Sequence, residues 1–155
     1  QKNEIGDGGL CALAGAFARG ALPVLEVLHV YEDMGSGTVG DDGMRALAGA
    51  LAAGALPRLR NLSLRCNQIG PEGTKALADA AVKGALVDLK KLALNMNQIG
   101  DEGAVALAIA LANGAMPNLN DLGVAYNGLS ADGMDVVFRG VRGRRMKVEI
   151  RELEQ

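Results

Sequence analysis

Carboxylates stand in adjacent pairs at Asp41/Asp42 and Asp101/Glu102, and neighbouring acids are the raw material of general acid–base catalysis. Gly35-Ser36-Gly37 offers backbone N–H groups of the kind that cradle a phosphate, while Cys11, Cys66 and His29 are residue types that bind metals. Each reading weakens against its surroundings. The acids recur beside a glycine at 30-residue intervals, so Asp42, Glu72, Glu102 and Asp132 read as first-turn acids facing the positive end of a helix dipole. The glycine-serine-glycine segment lacks the lysine and helix context of a phosphate loop. His29 is the only histidine and has no neighbour at ligand spacing. No catalytic residue, metal or cofactor is predicted.

The elements that carry these residues repeat. Residues 40–69, 70–99 and 100–129 align without a gap, placing Gly43, Gly73, Gly103 and Gly133 in one column and Leu47, Leu77, Leu107 and Val137 in another. An upstream copy, from Gly6 to Val39, matches once four extra residues around Met34 to Thr38 are allowed, and a shorter copy starts at Ser130. A fixed period is the signature of a solenoid, in which each unit buries its apolar face against its neighbours. Within a unit, the alternation of Leu62 and Leu64 predicts a short strand with one buried face, and one strand per unit predicts a parallel sheet. Ala46, Leu47, Ala50 and Leu51 recur at helical spacing, so a helix follows. Gly40, Gly70, Gly100 and Ser130 are predicted at its N-cap, with Pro71 at a first helical position that needs no N–H. Gly54, Gly84 and Gly114 suit the left-handed residue that ends it.

Asn67, Asn97 and Asn127 stand 30 residues apart, just after each strand. There the backbone loses its ladder partners, and an inward amide can both donate and accept toward it. The three are predicted to form a stacked ladder, with Asn3 and Asp33 in the corresponding upstream places.

The unit L-x-x-L-x-L-x-x-N-x-I-G-x-x-G-x-x-x-L-A-x-A-L, present over nearly the whole chain, resembles the ribonuclease-inhibitor type of leucine-rich repeat. That resemblance implies an α/β horseshoe with strands on the concave side and helices on the convex side. The family includes ribonuclease inhibitor, Ran GTPase-activating protein and the sensing domains of nucleotide-binding immune receptors. Most members bind proteins, so the resemblance implies a non-catalytic module with a protein partner. A GTPase regulator and a structural subunit of a large assembly are the alternatives. The polar residues a GTPase regulator would need at the strand-to-helix edge do not map onto this sequence.

The 155 residues, 49% hydrophobic, suffice for one repeat domain over residues 1–155, with a partial first unit and a short capping unit at the end. A formal net charge of −2 gives no general attraction to nucleic acid. Apolar helical stretches such as Ala104 to Ala112 are too short to span a bilayer. Cys11 and Cys66 fall on different faces of the repeat, so no disulfide is predicted. Unpaired thiols, with no visible secretory signal, predict an intracellular and cytoplasmic protein. Because Gln1 lies inside a repeat without the strand that should precede Asn3, the sequence is expected to be a piece of a longer protein.

The partner surface is expected on the strands, in columns that vary while the core columns do not. Val27, Asn61, Lys91 and Asp121 form one row, and His29, Ser63, Ala93 and Gly123 a second. Tyr31, Arg65, Asn95 and Ala125 form a third, and Glu32, Cys66, Met96 and Tyr126 the row beside the asparagines. Arg60, Arg65, Lys90 and Lys91 make the centre positive, with acids such as Asp121 nearer the ends. Tyr31, Asn95, Met96 and Tyr126 complete the predicted contact set, because aromatic and arginine side chains carry much of the energy at interfaces. A basic cluster of Arg139, Arg142, Arg144, Arg145 and Lys147 closes the last helix, where cations complement the dipole. Met146, Val148, Ile150 and Leu153 predict a final strand whose charges protect the sheet edge.

Overall fold

A computed structural model describes residues 5–30 and 38–150. Its elements alternate: α1 (Asp7–Ala18), β1 (Val27–His29), α2 (Asp41–Ala52), β2 (Asn61–Ser63), α3 (Pro71–Val82), β3 (Lys91–Ala93), α4 (Gly100–Ala112), β4 (Asp121–Gly123), α5 (Ala131–Gly140) and β5 (Lys147–Glu149). The strands form one parallel sheet in sequence order, and Leu28, Leu62, Leu92, Leu122 and Val148 lie in register across it. Every helix packs against the next. This is an α/β leucine-rich repeat solenoid. Strands repeat every ~4.8 Å whereas packed helices need roughly 8–10 Å, so stacking such units bends the array with the sheet inside.

The core lies between the two layers. Leu47, Leu62, Leu64, Leu77, Leu92, Leu94, Leu107 and Leu122 are fully buried, and the alanines at 48, 78 and 108 let adjacent helices approach. Gly140 shows how closely: a Cβ there would meet the Ala108 Cα at 2.6 Å. The predicted helix-ending glycines hold positive φ, +88° at Gly54, +93° at Gly84 and +86° at Gly114. Two residues later, Leu56, Leu86 and Met116 also take left-handed conformations, at 53°, 62° and 49°. Their side chains are buried, and that burial offsets the backbone cost of a Cβ at positive φ.

The asparagine ladder forms as predicted. Asn97 Nδ2 donates to the carbonyls of Leu64 and Leu94, both at 2.9 Å, and its Oδ1 accepts from the Ile69 N–H at 3.0 Å. Asn67 makes the same pattern to Val30, Leu64 and Val39, and Asn127 to Leu94, Val124 and Ile99. Each amide thus joins its own strand exit to that of the preceding unit. Asn3 and Asp33 lie outside the described residues.

Asp42, Glu72, Glu102 and Asp132 stand in the first helical turns as predicted, and the helix starts add a capping carboxylate from the preceding unit that the sequence reading did not assign. Asp7 Oδ1 accepts from the Gly40 and Gly43 N–H groups at 2.7 and 2.8 Å, and Asp41 Oδ1 accepts from Gly70 and Gly73 at 2.8 Å each. The first helical residue of one unit therefore caps the next unit's helix, and the glycine column leaves room for it: a Cβ at Gly43 would sit 2.6 Å from Asp7 Oδ1. Pro71 interrupts this relay. Without a carboxylate above it, α4 begins one residue early, so Gly100 is not an N-cap in extended backbone but the first helical residue, at φ +60°. Its N–H turns instead to the Asn127 carbonyl at 3.0 Å. The relay resumes at Asp101, which accepts from the Ser130 N–H and Oγ at 2.9 and 2.6 Å, while Ser130 Oγ caps Gly133 at 3.1 Å.

Candidate interaction surface

The exposed positions of the sheet come from the side chains that alternate away from the leucines. Lys91 lies in β3, Arg60 and Lys90 immediately before β2 and β3, and Arg65 two residues after β2; all four are exposed. Their charges are not equivalent. Lys91 pairs with Asp121 Oδ2 at 3.1 Å and Arg60 with Glu26 at 3.6 Å, whereas Arg65 and Lys90 make no ion pair among the described residues. The half-buried Asp121 is thereby a counter-charge to its neighbouring strand. Tyr31 and Glu32 lie outside the described residues.

Two expected rows, the second and the third, are largely not on the surface. Ser63, Ala93, Asn95 and Ala125 are buried, with Asn95 only 3% exposed. The Asn95 side chain lies over Gly123, occupying the space a Cβ at 123 would need. Period-2 alternation gives the face a residue points to, but not whether a larger neighbour on the next strand, about 4.8 Å away, covers it. Among the described members of these two rows, His29 and Arg65 remain presented.

Beside the asparagines, Cys66, Met96 and Tyr126 repeat at φ 57°, 59° and 58°. Non-glycine residues are uncommon in this region. The turn requires it: the Cys66 N–H donates to the Asn95 carbonyl at 3.0 Å and the Met96 N–H to the Ala125 carbonyl at 2.8 Å, while the asparagine amides take the carbonyls just before. Unlike the buried Leu56 and Leu86, these side chains are only partly covered, with Met96 40% and Tyr126 37% exposed and Cys66 half-buried. The sequence reading placed Met96 and Tyr126 on this rim but had no signal for the backbone, because no glycine marks it. It also missed that Cys66 Sγ lies 3.4 Å from Met96 Sδ, although their shared column was the clue.

On the helical face, Val105 and Ile109 of α4 are exposed where α3 carries Lys75 and Asp79. Phe138, in the column of Ala108, is exposed on α5. Two members of the basic cluster have structural partners. Arg144 donates to the Ala115 and Met116 carbonyls at 2.7 and 3.2 Å, and Arg139 pairs with Asp135 one turn earlier. Among the described residues there is no group of three His, Cys, Asp or Glu that could hold a metal, and no helix is long and apolar enough to cross a membrane.

The family model described as Leucine Rich repeat matches residues 56–78 and 87–108, two strand-to-helix segments spread over the three units 40–69, 70–99 and 100–129. The match and the five helices alternating with five parallel strands together support a leucine-rich repeat protein. Domains of this kind generally mediate protein–protein interaction. No curated protein matches the chain.

Proposed function

We propose that this leucine-rich repeat chain, of the ribonuclease-inhibitor-like kind, is a non-catalytic module that binds a protein partner through the strand face and its asparagine rim. The observation that carries this reading is the rim column. Met96 and Tyr126 keep exposed side chains, and Cys66 a half-buried one, at a backbone position where glycine would be cheaper, next to Arg65, whose charge has no partner ion among the described residues. Aromatic and arginine side chains of this sort are enriched among the residues that dominate binding energy. Lys90, Lys91, Arg60 and Asp121 surround them and supply charge recognition at the edges. Asn95 supports the surface from beneath.

Arg65→Ala or Tyr126→Ala is expected to weaken affinity for the physiological partner by about 1 kcal/mol or more with little change in stability, whereas Lys75→Glu on α3 leaves it near the original value. Loss of binding in the Lys75 variant with both strand-face variants intact would reassign the surface. A second reading, a subunit that docks into a larger assembly by its helices, draws on exposed Val105 and Ile109 on α4. Stoichiometric co-purification that depends on Ile109 would favour it.

A further inference from the structure

We propose that Cys66 and Met96 form a binding site for a soft monovalent metal ion, copper(I) in chemical class. The inference is independent of the partner reading. The thiol and the thioether come from consecutive units, and their sulfurs stand 3.4 Å apart on the rim. Met96 is exposed and Cys66 half-buried, so an ion reaches both without opening the core. Both donors are held by backbone: the Cys66 N–H bonds to Asn95 and the Met96 N–H to Ala125, each in the following unit. The spacing between the two side chains is therefore set by the repeat rather than by chance contact of two flexible loops.

Ligand chemistry selects the metal. Thiolate and thioether donors favour copper(I), while magnesium and calcium favour carboxylate and carbonyl oxygens, which this pair does not offer. Metal–sulfur bonds of about 2.3 Å, the length seen in zinc thiolates, let one ion bridge sulfurs up to roughly 4.6 Å apart. The observed separation lies inside that span, and the unbranched Met96 side chain can adjust to it. Binding forms a metal–thiolate bond at Cys66 as its proton leaves to solvent, and a dative bond from Met96 Sδ; the ion keeps its charge and nothing is oxidised. The remaining coordination positions face solvent and are open to water or an added ligand. Cys11, the other thiol, is exposed on α1 beside the Asp42 carbonyl, at 3.9 Å, and has no sulfur partner among the described residues.

The test is anaerobic titration of the reduced chain with copper(I) against a chromophoric copper(I) chelator, repeated with silver(I) while following the Met96 methyl resonance. One equivalent should bind, and the Met96 methyl should shift on silver addition. Cys66→Ser should abolish this binding, Met96→Leu should weaken it at least tenfold, and Cys11→Ser should leave it unchanged. Excess zinc(II) should not displace the ion. Should Cys66→Ser disturb folding, the methyl shift in the unaltered chain still decides. An unmoved methyl, full affinity in Met96→Leu, or loss of binding in Cys11→Ser would each overturn the site and leave adventitious binding at a single thiol.

Discussion

An amide side chain can donate twice and accept twice, and Asn97 uses that capacity on backbone groups left behind when the strand ends. Removing it leaves the buried Ile69 N–H without this acceptor and takes one of two amide donors from each of the Leu64 and Leu94 carbonyls. Asn97→Ala is expected to cost about 1–3 kcal/mol, the penalty for unsatisfied buried polar groups, against under about 0.5 kcal/mol for the exposed Lys83→Ala. Denaturant midpoints at unchanged slope check this; equal shifts would remove the ladder from the account. The left-handed columns give a second contrast. Leu86 and Met96 share a backbone conformation but not a burial. Leu86→Gly is therefore expected to destabilise by roughly 2–4 kcal/mol, the cavity loss less the backbone relief, while Met96→Gly stays within about 1 kcal/mol of the original. The asparagines were legible in the sequence because they repeat and because only one physical role suits an inward amide at a strand exit. The geometry of residues 66, 96 and 126 was not, since a non-glycine residue carries no mark of positive φ.

At the scale of the element, helices and strands follow from periodicity, but the helix starts depend on contacts that periodicity does not show. Asp41 lies in α2 and caps α3, so Asp41→Ala is expected to lose about 0.5–2 kcal/mol, and amide exchange should rise at Gly70 and Gly73 rather than within α2. Faster exchange confined to the first turn of α2 would contradict the relay. The sequence held the clue, an acid followed after the repeat distance by two glycines three apart, yet the carboxylate one residue later looked equally suited to the dipole. The same interaction makes α5 sensitive to acid. The Ser130 hydroxyl, then the Ser130 N–H, hold the Asp101 carboxyl below the usual carboxylate range. A lowered folded pKa stabilises above the unfolded value, and that contribution is lost as pH falls through the folded one. The difference in melting temperature between the original chain and Asp101→Asn should thus be present near neutrality and shrink as pH drops below about 4. A difference independent of pH would assign Asp101 a packing role instead.

Over the whole molecule, each unit touches only its neighbours, so stability is close to a sum of local terms. The described N-terminal unit is the weakest by this measure. Leu22 and Val24 are exposed, Leu25 and Leu28 are only partly buried, and β1 has no strand on its outer side among the described residues. Amide exchange in this chain is expected to be faster across 25–30 than in β3 or β4. Full protection there in a monomer would contradict it. The solenoid was legible because thirty-residue periodicity leaves few alternatives, and the candidate surface was legible only as a face. Which side chains reach its surface depended on neighbours across strands, as burial of Asn95 over Gly123 shows. The measurement that bears most directly on the strand-face reading is site-directed photocrosslinking in the native setting, with a photoreactive side chain at position 65 and, separately, at position 109. A discrete protein adduct formed at 65 and absent at 109 is the predicted result; an adduct at 109 with none at 65 would contradict the account and place recognition on the helices.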